Sequence, residues 1–135
     1  MSQPLTASAS RVLDHFLNPR NVGDLPDADG RAEVGATACG DVLRLALKVR
    51  AGRITEARFR TFGSSTAIAS ASAMTELLTG RTVAEALHFS SQEVLDALGG
   101  LPAAKMHCTL LAEEAVKAAL ADYLRRNPPA GAPGK

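Results

Sequence analysis

The sequence has no tryptophan, and aromatic residues make up only 4% of its 135 residues. The hydrophobic core must therefore be built mainly from alanine, leucine and valine. No run approaches the roughly 20 consecutive apolar residues that a membrane-spanning helix needs. A formal net charge of +1 lacks the concentrated basic excess that is typical of nucleic-acid-binding proteins. The composition predicts a one-domain globular protein that has neither a membrane nor a nucleic acid as its partner.

Cysteine is also scarce, with two residues in the whole chain, Cys39 and Cys108. The N-terminal stretch MSQPLTASAS has no charged segment followed by an apolar one, so it does not resemble a secretory signal. We therefore predict a cytoplasmic protein, and in that compartment two cysteines are expected to be thiols rather than a disulfide.

Three regions follow from the patterning: a flexible arm (1–9), a folded domain (10–126) and a disordered tail (127–135). The domain begins with a helix from Ser10 to the Asn18-Pro19 pair, because proline disfavours the helical conformation in the residue before it. A loop is predicted over 19–31. A strand at 34–39 and an antiparallel hairpin at 41–62 follow, since leucines alternate with basic residues along DVLRLALKVR.

The second half of the domain is helical by pattern. A helix over 65–79 is predicted to be capped by Ser64, Ser65 or Thr66, with Gly80 just past its end. Two short helices begin with capping boxes, Thr82 with Glu85 and Ser90 with Glu93. A long helix over about 103–126 turns Leu110, Leu111, Ala115, Ala118 and Leu124 inward. Strands followed by helices predict an α+β fold, a small three-stranded antiparallel sheet with helices packed on one face.

Metal-ligand side chains occur at separate places in the chain. Cys39 and Asp41 flank Gly40 in an extended segment, where side chains two residues apart point the same way. His107 and Cys108 are adjacent near the start of the long helix. Two thiolates, an imidazole and a carboxylate suffice for Zn²⁺ or for an iron of a cluster. Taken alone the spacing is a weak signal, because a lone cysteine is often a small core residue and Ser64 is most simply a helix cap.

Longer segments resemble the IscU/NifU-type iron–sulfur cluster assembly scaffolds, with the N-terminal module of NifU the more similar form. The segments that carry the resemblance are ATACGDVLRLALKV, ITEARFRTFG followed by AIASASAMTELLTG, and LPAAKMHCTLLAEEAVKAALADY. They follow the family's order over most of the chain, from about Val12 to Tyr123.

The resemblance implies a role for each candidate residue. Cys39 is a cluster ligand, and Asp41 modulates the lability of the cluster. Cys108 is both a ligand and the thiol that accepts sulfur from a cysteine desulfurase, and His107 is an alternative ligand. The family's middle cysteine falls on Ser64, whose hydroxyl is a hard, poor ligand and cannot carry a persulfide. The ligand set that remains is Cys39, Asp41, His107 and Cys108.

Two functions remain open at this point. The first is a scaffold that is not an enzyme: it binds iron or a transient [2Fe–2S] cluster, or zinc in the isolated protein, and hands the cluster to acceptor apoproteins. The second is a relative that assembles nothing, and instead binds zinc structurally or modulates the desulfurase. A Hsp70-type chaperone is a further candidate partner at the Leu101-Pro102 stretch, although the second proline of the family motif is absent. The protein is expected to be a monomer or homodimer, and basic residues around the hairpin are interpreted as a solvated face.

Overall fold

The structure, a computed structural model, describes residues 7–36 and 41–127. Within these ranges the chain forms three β-strands and five α-helices, with one 3₁₀ turn before the last helix. In chain order the elements are α1 (Ala7–Leu17), β1 (Gly30–Ala36), β2 (Asp41–Arg50), β3 (Arg53–Phe62), α2 (Ser65–Leu78), α3 (Val83–Ala86), α4 (Ser91–Ala97), the 3₁₀ turn (Ala103–Lys105) and α5 (His107–Arg126).

The three strands form one antiparallel sheet in the order β1–β2–β3. Leu43, Leu45 and Leu47 on β2 are at most 2% exposed and join residues of α2, α4 and α5 in the main core. On the other face of the sheet, Ala46 packs in a small separate cluster with Leu25 and Ala28 from the segment before β1. The predicted α+β fold, with helices packed on one face of a three-stranded sheet, is confirmed.

The predicted caps are also present. The Ser64 side chain accepts a hydrogen bond from the Ala67 N–H, which makes Ser64 the N-cap of α2. Thr82 and Glu85 form both halves of a capping box at α3. Local sequence therefore determines where these helices begin.

Two predicted boundaries were displaced. Helix α1 begins at Ala7 rather than Ser10, inside the predicted arm. Strand β1 begins at Gly30, within the predicted loop, because a Cβ at Gly30 would lie 2.5 Å from the Ala119 carbonyl oxygen and only glycine lets the strand pass so close to α5. Residues 37–39 of the predicted strand, the arm up to residue 6 and the tail after residue 127 lie outside the described residues.

Two predictions for the last helix were wrong. Residues 103–105 form a 3₁₀ turn, so α5 begins at His107. Leu110 does not point inward, since it is 54% exposed whereas its neighbour Leu111 is 3% exposed. Adjacent helical residues lie about 100° apart around the axis, and on α5 this step places Leu111 in the core and Leu110 on the solvent side.

A buried polar network that the sequence patterns did not reveal joins α1 to α2. His15 is 8% exposed, and its Nδ1 lies 2.7 Å from the hydroxyl of the fully buried Ser72. The same hydroxyl accepts a hydrogen bond from the Arg20 N–H. By contrast Leu13, Phe16 and Leu17 on α1 are between 39% and 63% exposed. Helix α1 is therefore held to α2 by hydrogen bonds at a histidine as well as by apolar packing.

Across residues 7–36 and 41–127, no helix combines the length and the apolar character needed to cross a membrane.

Candidate metal centre

The first side of the centre is the start of α2. The Ser64 backbone is extended, and its hydroxyl accepts from the Ala67 N–H at 3.2 Å. The Ser64 N–H, in turn, donates to Asp41 Oδ1 at 3.1 Å. The turn between β3 and α2 thus places the Ser64 hydroxyl at the centre and ties the turn to the first residue of β2.

Asp41 is 2% exposed, which is rare for a carboxylate. Its side chain fills the space beside Gly63, where a Cβ would lie 2.0 Å from Oδ1 and 2.6 Å from Cγ. Gly63 is therefore required for close packing: any other residue there would collide with Asp41. The sequence shows a glycine in the Thr-Phe-Gly-Ser turn, but only the structure shows that the Asp41 carboxylate occupies the space where a Gly63 side chain would lie.

The second side is the start of α5. Cys108 is 1% exposed, whereas the side chain of His107 is 37% exposed. The Cys108 Sγ lies 3.5 Å from His107 Nε2 and 3.9 Å from Asp41 Oδ2. His107 Nε2 lies 3.6 Å from the same carboxylate oxygen.

Asp41, His107 and Cys108 each offer one ligand atom, and these atoms all lie within 4.8 Å of one another. The Ser64 hydroxyl borders this group, since its Oγ lies 3.9 Å from Cys108 Sγ. We call Asp41, His107 and Cys108 the donor group. One carboxylate oxygen, one imidazole nitrogen and one sulfur form a mixed set that suits zinc or iron.

The structure thus brings together four of the five predicted site residues, from three separate segments of the chain. Cys39 lies outside the described residues, so its membership of the centre stays a prediction. Two large apolar side chains near the donor group in sequence, Phe62 and Leu110, are 64% and 54% exposed. The sequence patterns did not single out this exposed pair.

Comparisons with known proteins identify the fold and the family. The model of the family called NifU-like N terminal domain matches residues 7–130. The iron-sulfur cluster assembly scaffold protein IscU 1 of Archaeoglobus fulgidus is 48% identical over 119 residues, covering 88% of this chain and 78% of the relative. The scaffold protein IscU of Azotobacter vinelandii is 48% identical over 121 residues, covering 87% of this chain and 94% of the relative.

A solved structure shows the same fold at lower identity. The crystal structure of the N-terminal part of a nitrogen-fixing NifU-like protein from Brucella abortus superposes with a TM-score of 0.68 at 22% identity. The match covers 85% of this chain and 92% of that structure. Because the family model spans residues 7–130 and close relatives align over most of the sequence, this chain belongs to the NifU-like N-terminal domain family, which includes the IscU scaffolds.

Proposed function

We propose that this protein is an iron–sulfur cluster assembly scaffold, a binding and transfer protein rather than an enzyme. It holds iron or a [2Fe–2S] cluster as cargo and passes it to acceptor apoproteins. The observation that supports this most strongly is the donor group, in which Asp41, His107 and Cys108 bring ligand atoms within 4.8 Å of one another. The names of the relatives agree with it.

Cys39 completes the proposed ligand set. It precedes Asp41 by two residues, and the resemblance to the scaffolds makes it a ligand thiol. With Cys39 the centre has two thiolates, one imidazole and one carboxylate, which is enough for the four positions of a tetrahedral metal. Zinc fits the same set and is the expected metal in protein isolated without iron.

Cys108 is also the proposed sulfur acceptor. Its thiolate attacks the outer sulfur of a persulfide on a cysteine desulfurase, the S–S bond of the donor breaks, and the donor cysteine leaves as a thiolate. Cys108 then carries the persulfide, and no net electron transfer is needed. Because Cys108 is only 1% exposed, we expect sulfur delivery to require movement of its neighbour His107.

One observation favours the second function, a relative that binds zinc structurally or modulates the desulfurase. Ser64 stands where the resemblance implies a ligand cysteine, and its hydroxyl already accepts a hydrogen bond from the α2 backbone. A neutral hydroxyl in that role is a poor ligand for iron. If the middle thiol is essential, the centre holds a metal ion but not a cluster.

Anaerobic reconstitution tests the donor group. Metal-free, reduced protein is incubated with ferric iron and sulfide, desalted, and measured by visible absorption and iron content. We expect bound cluster in the wild type and in Leu110→Ala, an exposed neighbour on the same helix, and none in Cys108→Ala. Equal cluster content in Cys108→Ala would exclude the proposed centre.

The same assay separates the two functions through Ser64→Cys. Ser65→Cys is the matched control, because it adds a thiol one residue away on an exposed side chain. Cluster in the wild type supports the scaffold. Cluster that appears only in Ser64→Cys, and not in Ser65→Cys, supports the relative that assembles nothing.

Partners and location are further proposals. Sulfur transfer is tested with ³⁵S-cysteine and a purified desulfurase, where we expect label on wild-type protein and none on Cys108→Ala.

The chaperone segment predicted at Leu101-Pro102 precedes the 3₁₀ turn, and Pro102 is exposed. Chaperone binding, a monomeric or homodimeric state and the cytoplasmic location stay predictions, and native mass of the loaded protein measures the oligomeric state.

A further inference from the structure

A concave site, separate from the candidate metal centre, lies on the face of the sheet opposite the main core. It has a volume of about 400 Å³, in the range of small-molecule sites. Five arginines line it, together with three carboxylates. We call this site the arginine cleft and define it by Arg31, Arg44, Arg58, Arg60 and Arg126.

Strand register explains how the arginines converge. Arg44 on β2 stands directly opposite Arg60 on β3, and in the next row Ala46 stands between Arg31 on β1 and Arg58 on β3. Like charges directly opposite each other on a sheet are destabilising. The Arg44–Arg60 pair therefore breaks a local rule of sheet stability, as residues selected for function often do.

The carboxylates of the cleft do not neutralise it. Asp24 pairs with Arg31 at 2.9 Å, and Glu33 pairs with Arg44 at 2.7 Å. Asp122 accepts a hydrogen bond from the Arg31 N–H and forms an ion pair with Arg126. Among the lining residues, five arginines against three carboxylates leave an excess of two positive charges. Arg58 also pairs with Glu56, just outside the lining, at 3.1 Å, which leaves Arg60 without a carboxylate of its own in the described part of the chain.

Arg60 is the clearest uncommitted cation of the cleft. It is exposed, and across residues 7–36 and 41–127 its side chain has neither a hydrogen bond nor an ion pair. Its charge does act on Asp24, whose pKa is lowered first by the hydrogen bond from Arg31 and to a lesser degree by Arg60. The guanidinium is planar and offers paired donors that match carboxylate and phosphate oxygens.

We propose that the arginine cleft binds a small oxyanion with two or more negative charges, either a di- or tricarboxylate or a polyphosphate. The size of the cleft fits such an anion, and bound oxygens between Arg44 and Arg60 would remove the repulsion between them. Asp24, Glu33 and Asp122 divide the positive surface and oppose an extended polyanion such as a nucleic acid. The site uses none of the donor-group residues, so it is independent of the proposed metal chemistry.

Calorimetric titration of the metal-free protein tests the proposal. Citrate and pyrophosphate are titrated separately, at low and at physiological ionic strength, and the one that binds more tightly identifies the kind of anion. We expect saturable 1:1 binding that Arg60→Gln weakens about tenfold or more, as for the loss of one charged hydrogen bond. Arg50→Gln is the matched control, because it removes the same charge from an exposed arginine of β2 outside the cleft.

A melting curve of each variant separates binding from folding. Arg60→Gln is expected to keep or raise the Tm, because it removes one of two opposed like charges. The proposal is overturned if neither anion saturates the wild type, or if Arg60→Gln and Arg50→Gln weaken binding equally. A polyglutamate peptide is titrated as a third ligand. If it binds and neither citrate nor pyrophosphate does, the proposal is also overturned, since that result would make the cleft a protein-docking surface.

Discussion

Helices α2 and α5 both begin at the candidate metal centre, and they begin in different ways. At α2 the Ser64 side chain caps the helix by accepting from the Ala67 N–H. At α5 the preceding residue, Met106, has a helical backbone conformation and makes no side-chain cap. The first two side chains of α5, His107 and Cys108, instead lie within reach of Asp41.

This difference assigns separate tasks to the two helix starts. A side-chain oxygen that satisfies a backbone N–H has less to offer a metal, whereas the His107 and Cys108 side chains are not used to cap their own helix. Ser64 should therefore matter mainly for stability, and the start of α5 mainly for binding. The predictions below test that division, beginning with the largest expected effect.

Zinc affinity should depend on α5 and not on the α2 cap. Loss of a residue that only orients a ligand typically costs 10–100-fold in metal affinity, so Cys108→Ala, which removes a proposed ligand, should weaken zinc binding by about a hundredfold or more. Ser64→Ala should change it less than about threefold. Competition with a chromogenic chelator measures both, and an equal loss in the two variants would contradict the division of tasks.

Gly63→Ala should be the most destabilising change at the α2 start. The added Cβ would collide with the buried Asp41 side chain, and overpacking of this kind costs about 1–3 kcal/mol. Gly35→Ala is the control, because a Cβ there makes only ordinary contacts, the nearest at 3.5 Å. Urea unfolding measures both, and similar free energies of unfolding for the two variants would show that Asp41 moves aside without cost.

Removing the α2 cap should cost less. Ser64→Ala loses the hydrogen bond to the Ala67 N–H, which should lower the free energy of unfolding by about 0.5–2 kcal/mol. Ser64→Gly should lower it by only about a few tenths of a kcal/mol. Ser65→Ala, one residue away and exposed, should have almost no effect. If Ser65→Ala lowered the free energy of unfolding more than Ser64→Ala, Ser64 would not be the residue that caps α2.

The smallest effect concerns pH, and it depends on the buried His15 at the contact between α1 and α2. Burial, assisted by the charge of Arg20, lowers the pKa of His15 below its ordinary value of 6.5. Below pH 6.5 the unfolded chain therefore binds more protons than the folded one, so the stability from neutral His15 is present above that pH and falls as pH decreases through it.

Unfolding in urea at several pH values between 7.5 and 5.5 measures this. We expect the free energy of unfolding of the metal-free wild type to fall over that range, and to fall less steeply in His15→Gln. The carboxylates with lowered pKa values, such as Asp14 and Glu93, titrate below this range. Equal slopes for wild type and His15→Gln would remove His15 as the cause.

Much of the fold could be predicted because the determining signals are local. The alternation in β2, the serine and threonine caps and the glycines after α2 and α4 each act within a few residues. Gly30 is a position that local signals do not explain. Glycine normally indicates a loop, but here it begins a strand because α5, about 90 residues later, passes too close for a side chain.

The centre required more than local pattern. His107 and Cys108 are adjacent in sequence, yet nothing within α5 indicates that Asp41, 67 residues away from Cys108, lies 3.9 Å from its sulfur. The resemblance to a scaffold family provided that grouping. No resemblance indicated the His15–Ser72 contact, and a histidine within a helix has no sequence signature for a partner 57 residues away.

The two oxygens of the Asp41 carboxylate have different neighbours, and this bears on how the centre binds and releases a metal. Oδ1 accepts from the Ser64 N–H, while Oδ2 faces His107 and Cys108. A metal that takes Oδ2 leaves the tie between β2 and α2 intact. Binding and release of a metal at Oδ2 therefore need not disturb the fold at this corner, which agrees with the proposed role in cluster transfer.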